Sequence, residues 1–127
     1  MTIRMDVSFV MRGDNFSPEL LEKKTGWMLS RKDFKCAIFC PPTSFSNSDE
    51  GEAGLKWIVE KVGEGISTIK QCGAEDNYLD IAVYFKGQCN MAFEPDLLRK
   101  ISELKVPFLI SCYEDYEDDV LNSLSLI

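Results

Sequence analysis

The chain contains no histidine, and this absence excludes several familiar active sites. Ser-His-Asp and Cys-His catalytic arrangements both need an imidazole, and so do the common zinc sites. The sequence also lacks GxSxG, a Walker phosphate loop and GxGxxG, the motifs of α/β-hydrolases, P-loop proteins and dinucleotide-binding enzymes. We therefore expect no catalytic residues, no cofactor and no metal ligands, and we expect that the protein is not an enzyme.

Clustered basic residues and long apolar segments are also missing. The chain has 21 acidic residues against 14 basic ones, a net charge of −7, whereas binding to a phosphate backbone needs clustered Lys and Arg. No apolar segment approaches the ~20 residues that span a bilayer. The first residues alternate between apolar and polar, unlike a secretory signal. We expect an acidic cytoplasmic protein with neither a nucleic-acid nor a membrane partner.

The five cysteines do not form a recognisable framework. They stand at positions 36, 40, 72, 89 and 112, an odd number without a CxxC pair, which favours reduced thiols over disulfides. Cys36 and Cys40 lie four residues apart on a predicted strand and so share one of its faces. They could ligate a metal, but packing in the core is the favoured interpretation.

A strand, a glycine and a helix follow one another twice in the sequence. Residues 3–12 alternate as in a half-buried strand; Gly13 can take the positive φ of a sharp exit, and Ser17 and Pro18 suit a helix start. Residues 79–87 and Pro95 repeat this order. Segments 16–23 and 93–100 share Phe, Pro, Leu, Leu and Lys, five of eight positions. We interpret 3–40 and 77–113 as an internal repeat within one domain, 1–127.

The remaining predicted elements lie between and after these two copies in the sequence. A second strand is predicted with Phe34, Cys36, Ile38 and Cys40 facing the core and Lys35, Ala37 and Phe39 facing away. A loop from Thr43 to Gly54, either mobile or functional, precedes a long helix from about Ala53 to Gln71. The last predicted elements are a strand over 108–113 and a short terminal helix beyond it.

This order predicts an α+β fold. We expect a ferredoxin-like two-layer sandwich: a four-stranded sheet built from two strand–helix–strand halves, with an added long connecting helix. One face of the sheet would then be open to a partner. The candidate interaction surface comprises that face and the long loop, with Arg4, Asp6, Phe39, Phe45, Asp80, Tyr84, Lys86 and Tyr113.

The first strand ends in Gly13-Asp14-Asn15-Phe16-Ser17-Pro18, and this opening resembles a family of small bacterial proteins catalogued only as a domain of unknown function. The helix at 93–98 and the strand at 108–113 look like that family's C-terminal half. Residues 26–30 replace the family's usual Pro-Thr-x-x-Trp-type segment, so no site is expected there. The resemblance implies a bacterial or mobile-element origin and no established activity or catalytic residues.

These observations predict a small bacterial interaction module. Its partner would be an unidentified protein, and its size and acidity are compatible with an immunity-type protein that occludes a basic toxin. One alternative is a small-molecule-binding protein or hydrolase that uses Asp6 and Asp80, which needs an enclosed pocket. A second alternative is a homodimer in which the sheet face is a purely structural interface.

Overall fold

The computed structural model describes residues 4–33, 35–42 and 51–114. Within them the chain forms a five-stranded mixed sheet and three helices, which confirms the α+β class. Phe45, most of the predicted loop and the predicted terminal helix lie outside the described residues. The elements in chain order are β1 (Arg4–Arg12), α1 (Pro18–Thr25), β2 (Arg31–Asp33), β3 (Cys36–Phe39), α2 (Gly51–Gln71), β4 (Asp76–Phe85), α3 (Pro95–Glu103) and β5 (Phe108–Glu114).

The sheet differs from the predicted four-stranded, ferredoxin-like arrangement. Its strand order is β2-β3-β1-β4-β5, and the added strand, β2, forms a hairpin with β3. β1 pairs antiparallel with both β3 and β4, whereas β4 and β5 pair in parallel. The two halves of the proposed repeat are therefore joined differently: α3 connects parallel neighbours, and the segment containing α1 and β2 connects antiparallel ones.

The core lies between the sheet and a layer of helices. α2 packs against β1, and both α1 and α3 pack against α2. The fully buried side chains on the sheet side include Phe9 and Met11 of β1 and Leu79, Ile81 and Val83 of β4. Burial of this apolar surface is the main stabilising contribution. No helix within the described ranges is both long and apolar enough to cross a membrane.

Helix α1 begins as its sequence predicts. The Ser17 hydroxyl accepts a hydrogen bond from the Leu20 N–H at 3.3 Å, and Pro18 occupies the first turn, where its missing N–H breaks no hydrogen bond. Gly26 ends the helix at φ 77°, a left-handed conformation that favours glycine. The matching start of α3 has Glu94 at the cap position without a side-chain cap, so the two copies share the proline but not the hydrogen bond.

Two hydrogen bonds to Glu22 of α1 join this helix to the β2–β3 hairpin and the segment before it. The Glu22 carboxylate accepts from the Lys32 ammonium at 2.8 Å and from the Leu29 N–H at 3.0 Å. The hydrogen bond from Lys32, followed by that from Leu29, lowers the pKa of Glu22 below its ordinary value. Because the folded-state pKa is lowered, this stabilisation is complete above the unfolded-state pKa and is lost as the pH falls through the folded-state value.

We expect Glu22→Gln to weaken the acid sensitivity of the fold. The variant cannot lose a carboxylate charge, so its melting temperature should fall less than that of the wild type between about pH 5 and about pH 3. The measurement is thermal unfolding followed by circular dichroism across that range. Glu60→Gln, a change at an exposed residue of α2, is the control. An equal pH slope in the Glu22 variant and the wild type would contradict the assignment.

Strand β3 buries the side that the sequence predicts to face away from the core. Ala37 and Phe39 lie on the helix-covered face, with exposed fractions of 0% and 3%, whereas Cys36 and Ile38 are only half-buried on the other face. The register explains this, because Phe39 pairs with buried Phe9 and Ala37 pairs with buried Met11. The predictions that Phe39 belongs to the open face and that Cys36 packs in the core are therefore wrong.

Candidate interaction surface

The face of the sheet away from the helices carries polar and aromatic side chains, and we call it the open face. Within the described residues no helix packs on it. Tyr113 is 52% exposed and Leu109 is 47% exposed. On β1, β4 and β5 the open face comprises Arg4, Asp6, Ser8, Val10 and Arg12 of β1, Asp76, Tyr78, Asp80, Ala82 and Tyr84 of β4, and Leu109, Ser111 and Tyr113 of β5.

Three side chains form a continuous row across this face, which we call the Arg–Tyr row (Arg4, Tyr84, Tyr113). The register places Arg4 opposite Tyr84, and Tyr84 opposite Tyr113. The Arg4 guanidinium carbon lies 4.3 Å from the centroid of the Tyr84 ring. The rings of Tyr84 and Tyr113 are stacked, with centroids 5.4 Å apart and planes inclined by 22°.

The sheet itself produces this stack. Neighbouring strands lie about 4.8 Å apart, so directly opposite aromatic side chains stand at a stacking distance. A guanidinium over a tyrosine face adds a cation–π attraction of about 0.5–1 kcal/mol at an exposed site. The three side chains therefore stack on one another in the absence of a partner.

The acidic centre of the open face lies next to this row. Asp6 pairs across the strands with Ala82, and Ser8 pairs with Asp80, which makes the two carboxylates diagonal neighbours on adjacent strands. The Asp6 side chain is 49% exposed, and one of its oxygens lies 3.9 Å from Arg4 Nε, a long surface ion pair of small energetic value. The described part of the chain contains no group of three or more His, Cys, Asp or Glu arranged for a metal ion.

An ion pair between Arg12 and Asp76 lies at the end of the open face away from the Arg–Tyr row. Arg12 donates to Asp76 at 2.9 Å, and its guanidinium carbon lies 5.6 Å from the centroid of the Tyr78 ring. Val10 is only 6% exposed, because Ile38 and Tyr78 flank it on the neighbouring strands. This end buries its own apolar side chains and leaves less surface for a partner than the Arg–Tyr row.

The structure brings together five of the eight predicted surface residues. Arg4, Asp6, Asp80, Tyr84 and Tyr113 share the open face. Lys86 follows β4 and is exposed beyond the end of the strand, and Phe45 lies outside the described residues. Phe39 lies in the core on the opposite face, where its ring stacks on Trp27 with centroids 4.3 Å apart.

One aromatic and one large exposed apolar residue of the open face are absent from the predicted set: Tyr78 and Leu109. Tyr78 falls on the same side of β4 as Tyr84, six residues away, because strand side chains alternate with a period of two. Leu109 lies on the same side of β5 as Tyr113, four residues away. Extending the alternation of the strand predicted at 79–87 back to Tyr78 would have found that residue, and the strand predicted at 108–113 already contains Leu109.

Two surface clefts lie away from the predicted carboxylates. One, of about 520 Å³, lies at the end of β1 and is lined by Arg12, Gly13, Asp14, Lys35, Cys36, Glu75 and Asp76. The other, of about 490 Å³, lies between α2 and α3 and includes Gly63 and Leu104. Neither contains Asp6 or Asp80.

Comparison of the chain with protein-family models, with curated proteins and with solved structures finds no match.

Proposed function

We propose that this chain is a non-enzymatic interaction module that binds a protein partner through the open face of its sheet. The observation that carries the proposal is the Arg–Tyr row, in which a guanidinium and two rings are stacked across three strands. Tyrosine and arginine are enriched among the residues that dominate binding energy at protein interfaces. Because these side chains are already stacked, binding would cost little further side-chain entropy.

The shape of the open face favours a macromolecular partner over a small substrate. Sites for small molecules are concave and bury most of the ligand. Asp6 stands half-exposed beside the half-buried Asp80, and the two clefts described above do not contain either residue. An Asp6/Asp80 hydrolase or small-molecule site therefore has less support than a protein-binding surface.

The charge of the chain points to a basic partner, such as the toxin that an immunity-type protein would occlude. A net charge of −7 attracts a cationic protein over long range, and Asp6 and Asp80 place carboxylates beside the Arg–Tyr row. Electrostatic steering of this kind raises association rates and weakens as salt rises. A second copy of this acidic chain would be repelled, which makes homodimerisation the weaker alternative.

Photo-crosslinking from the open face tests the proposal. A benzophenone amino acid would replace Tyr113, in cells that express the protein from its native gene, and adducts would be identified by mass. Leu98 on α3 is the control position, since it is also exposed, at 46%. We expect one dominant adduct from position 113 and a different, weaker pattern from position 98. An adduct of twice the chain mass would support the homodimer instead, and equal patterns at both positions would contradict the proposal.

We expect Tyr84→Ala to weaken binding of that partner by at least about tenfold, because it removes the central ring of the row. Tyr78→Ala is the matched control, a tyrosine of the same strand and face that lies beneath Arg12. Titration calorimetry with the purified partner measures both changes. Equal losses for the two variants would show that the Arg–Tyr row is not the centre of the interface.

A further inference from the structure

The two edge strands of the sheet differ in how they are protected against pairing. β2 forms one edge and β5 forms the other. β2 is three residues long, has the sequence Arg-Lys-Asp and is exposed throughout. β5 is seven residues long, and its one charged residue is the last, Glu114. Proteins protect exposed edges with short strands, lysine, proline or bulges, and β5 shows none of these along its continuous register with β4.

Apolar side chains are exposed on both sides of β5. Ile110 lies opposite buried Ile81 and therefore on the helix side of the sheet, yet it is 42% exposed. Leu109 and Tyr113 are about half exposed on the open face. A partner that lay flat on the open face would leave Ile110 uncovered, whereas a strand added beside β5 would cover apolar surface on both sides.

The backbone of β5 also directs hydrogen-bonding groups outward. The Leu79 N–H donates to the Pro107 carbonyl at 2.9 Å, so the backbone of residue 107 faces β4. Along a strand in a parallel ladder, successive residues direct their N–H and C=O groups alternately toward the neighbouring strand and away from it. Ser111 therefore faces β4, and Ile110 and Cys112 face outward. Among the described residues no strand pairs with this outer side.

The sequence around β5 is acidic. Residues 105–119 contain five acidic residues and one basic residue, Lys105. The acidic residues are Glu114, Asp115, Glu117, Asp118 and Asp119. On the open face, Asp80 of β4 lies opposite Leu109 of β5. This charge balance attracts a chain that carries lysine and arginine and repels a second copy of this protein.

We propose that β5 accepts an extended segment of a basic protein partner as an added strand at the edge of the five-stranded sheet. This inference rests on the proposed function and specifies how that partner binds. Backbone groups of the segment pair with those of Ile110 and Cys112, and its side chains cover Leu109 and Tyr113 on one side and Ile110 on the other. A side chain next to Tyr113 also extends the Arg–Tyr row by one strand.

Amide hydrogen exchange with a defined probe tests the added strand. The probe is the capped peptide Lys-Val-Lys-Val-Lys-Val-Lys, as long as β5, and exchange in the full-length protein is followed by NMR. At saturating peptide we expect exchange at Ile110 and Cys112 to slow by at least about tenfold, with no change in β2. A peptide of equal charge with proline in place of each valine is the control, since it cannot pair as a strand. Slowing by both peptides, or by neither, would overturn the proposal.

Two other occupants of this edge have their own signatures before peptide is added. Slow exchange at Ile110 and Cys112 that becomes faster on dilution would identify a second copy of the chain. Slow exchange that does not depend on concentration would show that the chain itself covers the edge. Either result would overturn the proposal.

Two substitutions at Ile110 separate backbone pairing from side-chain contact. Ile110→Pro removes an outward N–H and no hydrogen bond to β4, whereas Ile110→Ala keeps the N–H and shortens the side chain. We expect the proline variant to lose the slowing at Cys112 and the alanine variant to keep it to within about threefold. Equal behaviour of the two variants would contradict backbone pairing. If circular dichroism shows that Ile110→Pro does not fold, the comparison of the two peptides on the wild type decides.

The photo-crosslink from position 113 distinguishes failure of this inference from failure of the proposed function. A partner adduct that persists undiminished in folded Ile110→Pro would overturn the added strand alone, because the partner would then bind without the outer backbone of β5. Absence of a partner adduct from the protein without this substitution would overturn the proposed function, and this inference with it. Loss of the adduct in Ile110→Pro but not in Ile110→Ala is the expected result.

Discussion

Phe39→Ala is expected to cost about 3–5 kcal/mol of the free energy of unfolding, the usual result of removing a buried phenylalanine. Phe39 is 3% exposed and lies between two tryptophans. Its ring stacks on Trp27 at 4.3 Å between centroids and meets Trp57 at 5.5 Å with planes inclined by 51°. The truncation removes both aromatic contacts and leaves a cavity between β3 and α2.

Urea unfolding measures the loss of stability, and the near-ultraviolet circular dichroism of Trp27 and Trp57 reports the altered packing. Tyr84→Ala is the control, because the sequence predicts that Phe39 and Tyr84 lie on the same face. Tyr84 stands on the open face, so its truncation should cost less than about 1.5 kcal/mol. Similar costs for the two variants would mean that Phe39 is not a core residue.

Gly73→Ala is the second change with a large expected effect, a loss of about 3 kcal/mol or more. Gly73 has a φ of +99°, and a Cβ there would lie 2.4 Å from the carbonyl oxygen of Asn15. The substitution therefore combines backbone strain with overlap against backbone that cannot rotate away. The Ser17 N–H donates to the Cys72 carbonyl at 3.0 Å, so a shift here also disturbs the start of α1.

Gly13→Ala should lower the free energy of unfolding by a similar amount, but only because of steric overlap and not because of backbone strain. A Cβ at Gly13 would lie 2.2 Å from the Gly73 carbonyl oxygen. Gly13 is not among the described residues with positive φ, so the predicted reason for this glycine is wrong. The glycine is needed because two turns approach each other closely, and not because the first strand exits through a left-handed residue.

Gly63→Ala provides the matched control for both glycine variants. Gly63 lies within α2, and its nearest contact for a Cβ is Leu104 Cδ2 at 3.8 Å, an ordinary van der Waals distance. Alanine should therefore stabilise the helix by about 0.5–1 kcal/mol. Urea unfolding of the three variants gives the comparison. Equal stability of Gly73→Ala and the wild type would contradict the close approach of the two turns.

The elements that follow a strong local pattern are those that the sequence predicts well. The alternation in β1, β4 and β5 assigns the correct sides, and the apolar stripe of α2 predicts its end at Gln71. Ser17, Pro18 and Gly26 mark both ends of α1. Each of these signals acts within a few residues, through the pleat of a strand or the hydrogen bonds of one helical turn.

The predictions for Phe39 and Cys36 in β3 are wrong because the local sequence pattern of this strand is ambiguous. Both sides of this strand carry apolar residues, and the larger set, with Cys36 and Ile38, is the one that faces outward. Ala37 and Phe39 face inward because Trp27 and Trp57 surround Phe39. β2, with the sequence Arg-Lys-Asp, has no apolar signal and exists as a strand through its pairing with β3.

On the open face, too, the local sequence pattern predicts some features and the tertiary structure decides the others. The sequence determined which side of β1, β4 and β5 carries polar and aromatic residues, because alternation is a local property of an extended chain. Only the tertiary structure decided that Arg4, Tyr84 and Tyr113 stand in one row. Strand order, pairing direction and register join residues that lie tens of positions apart, and the total packing of the core selects them rather than any single segment.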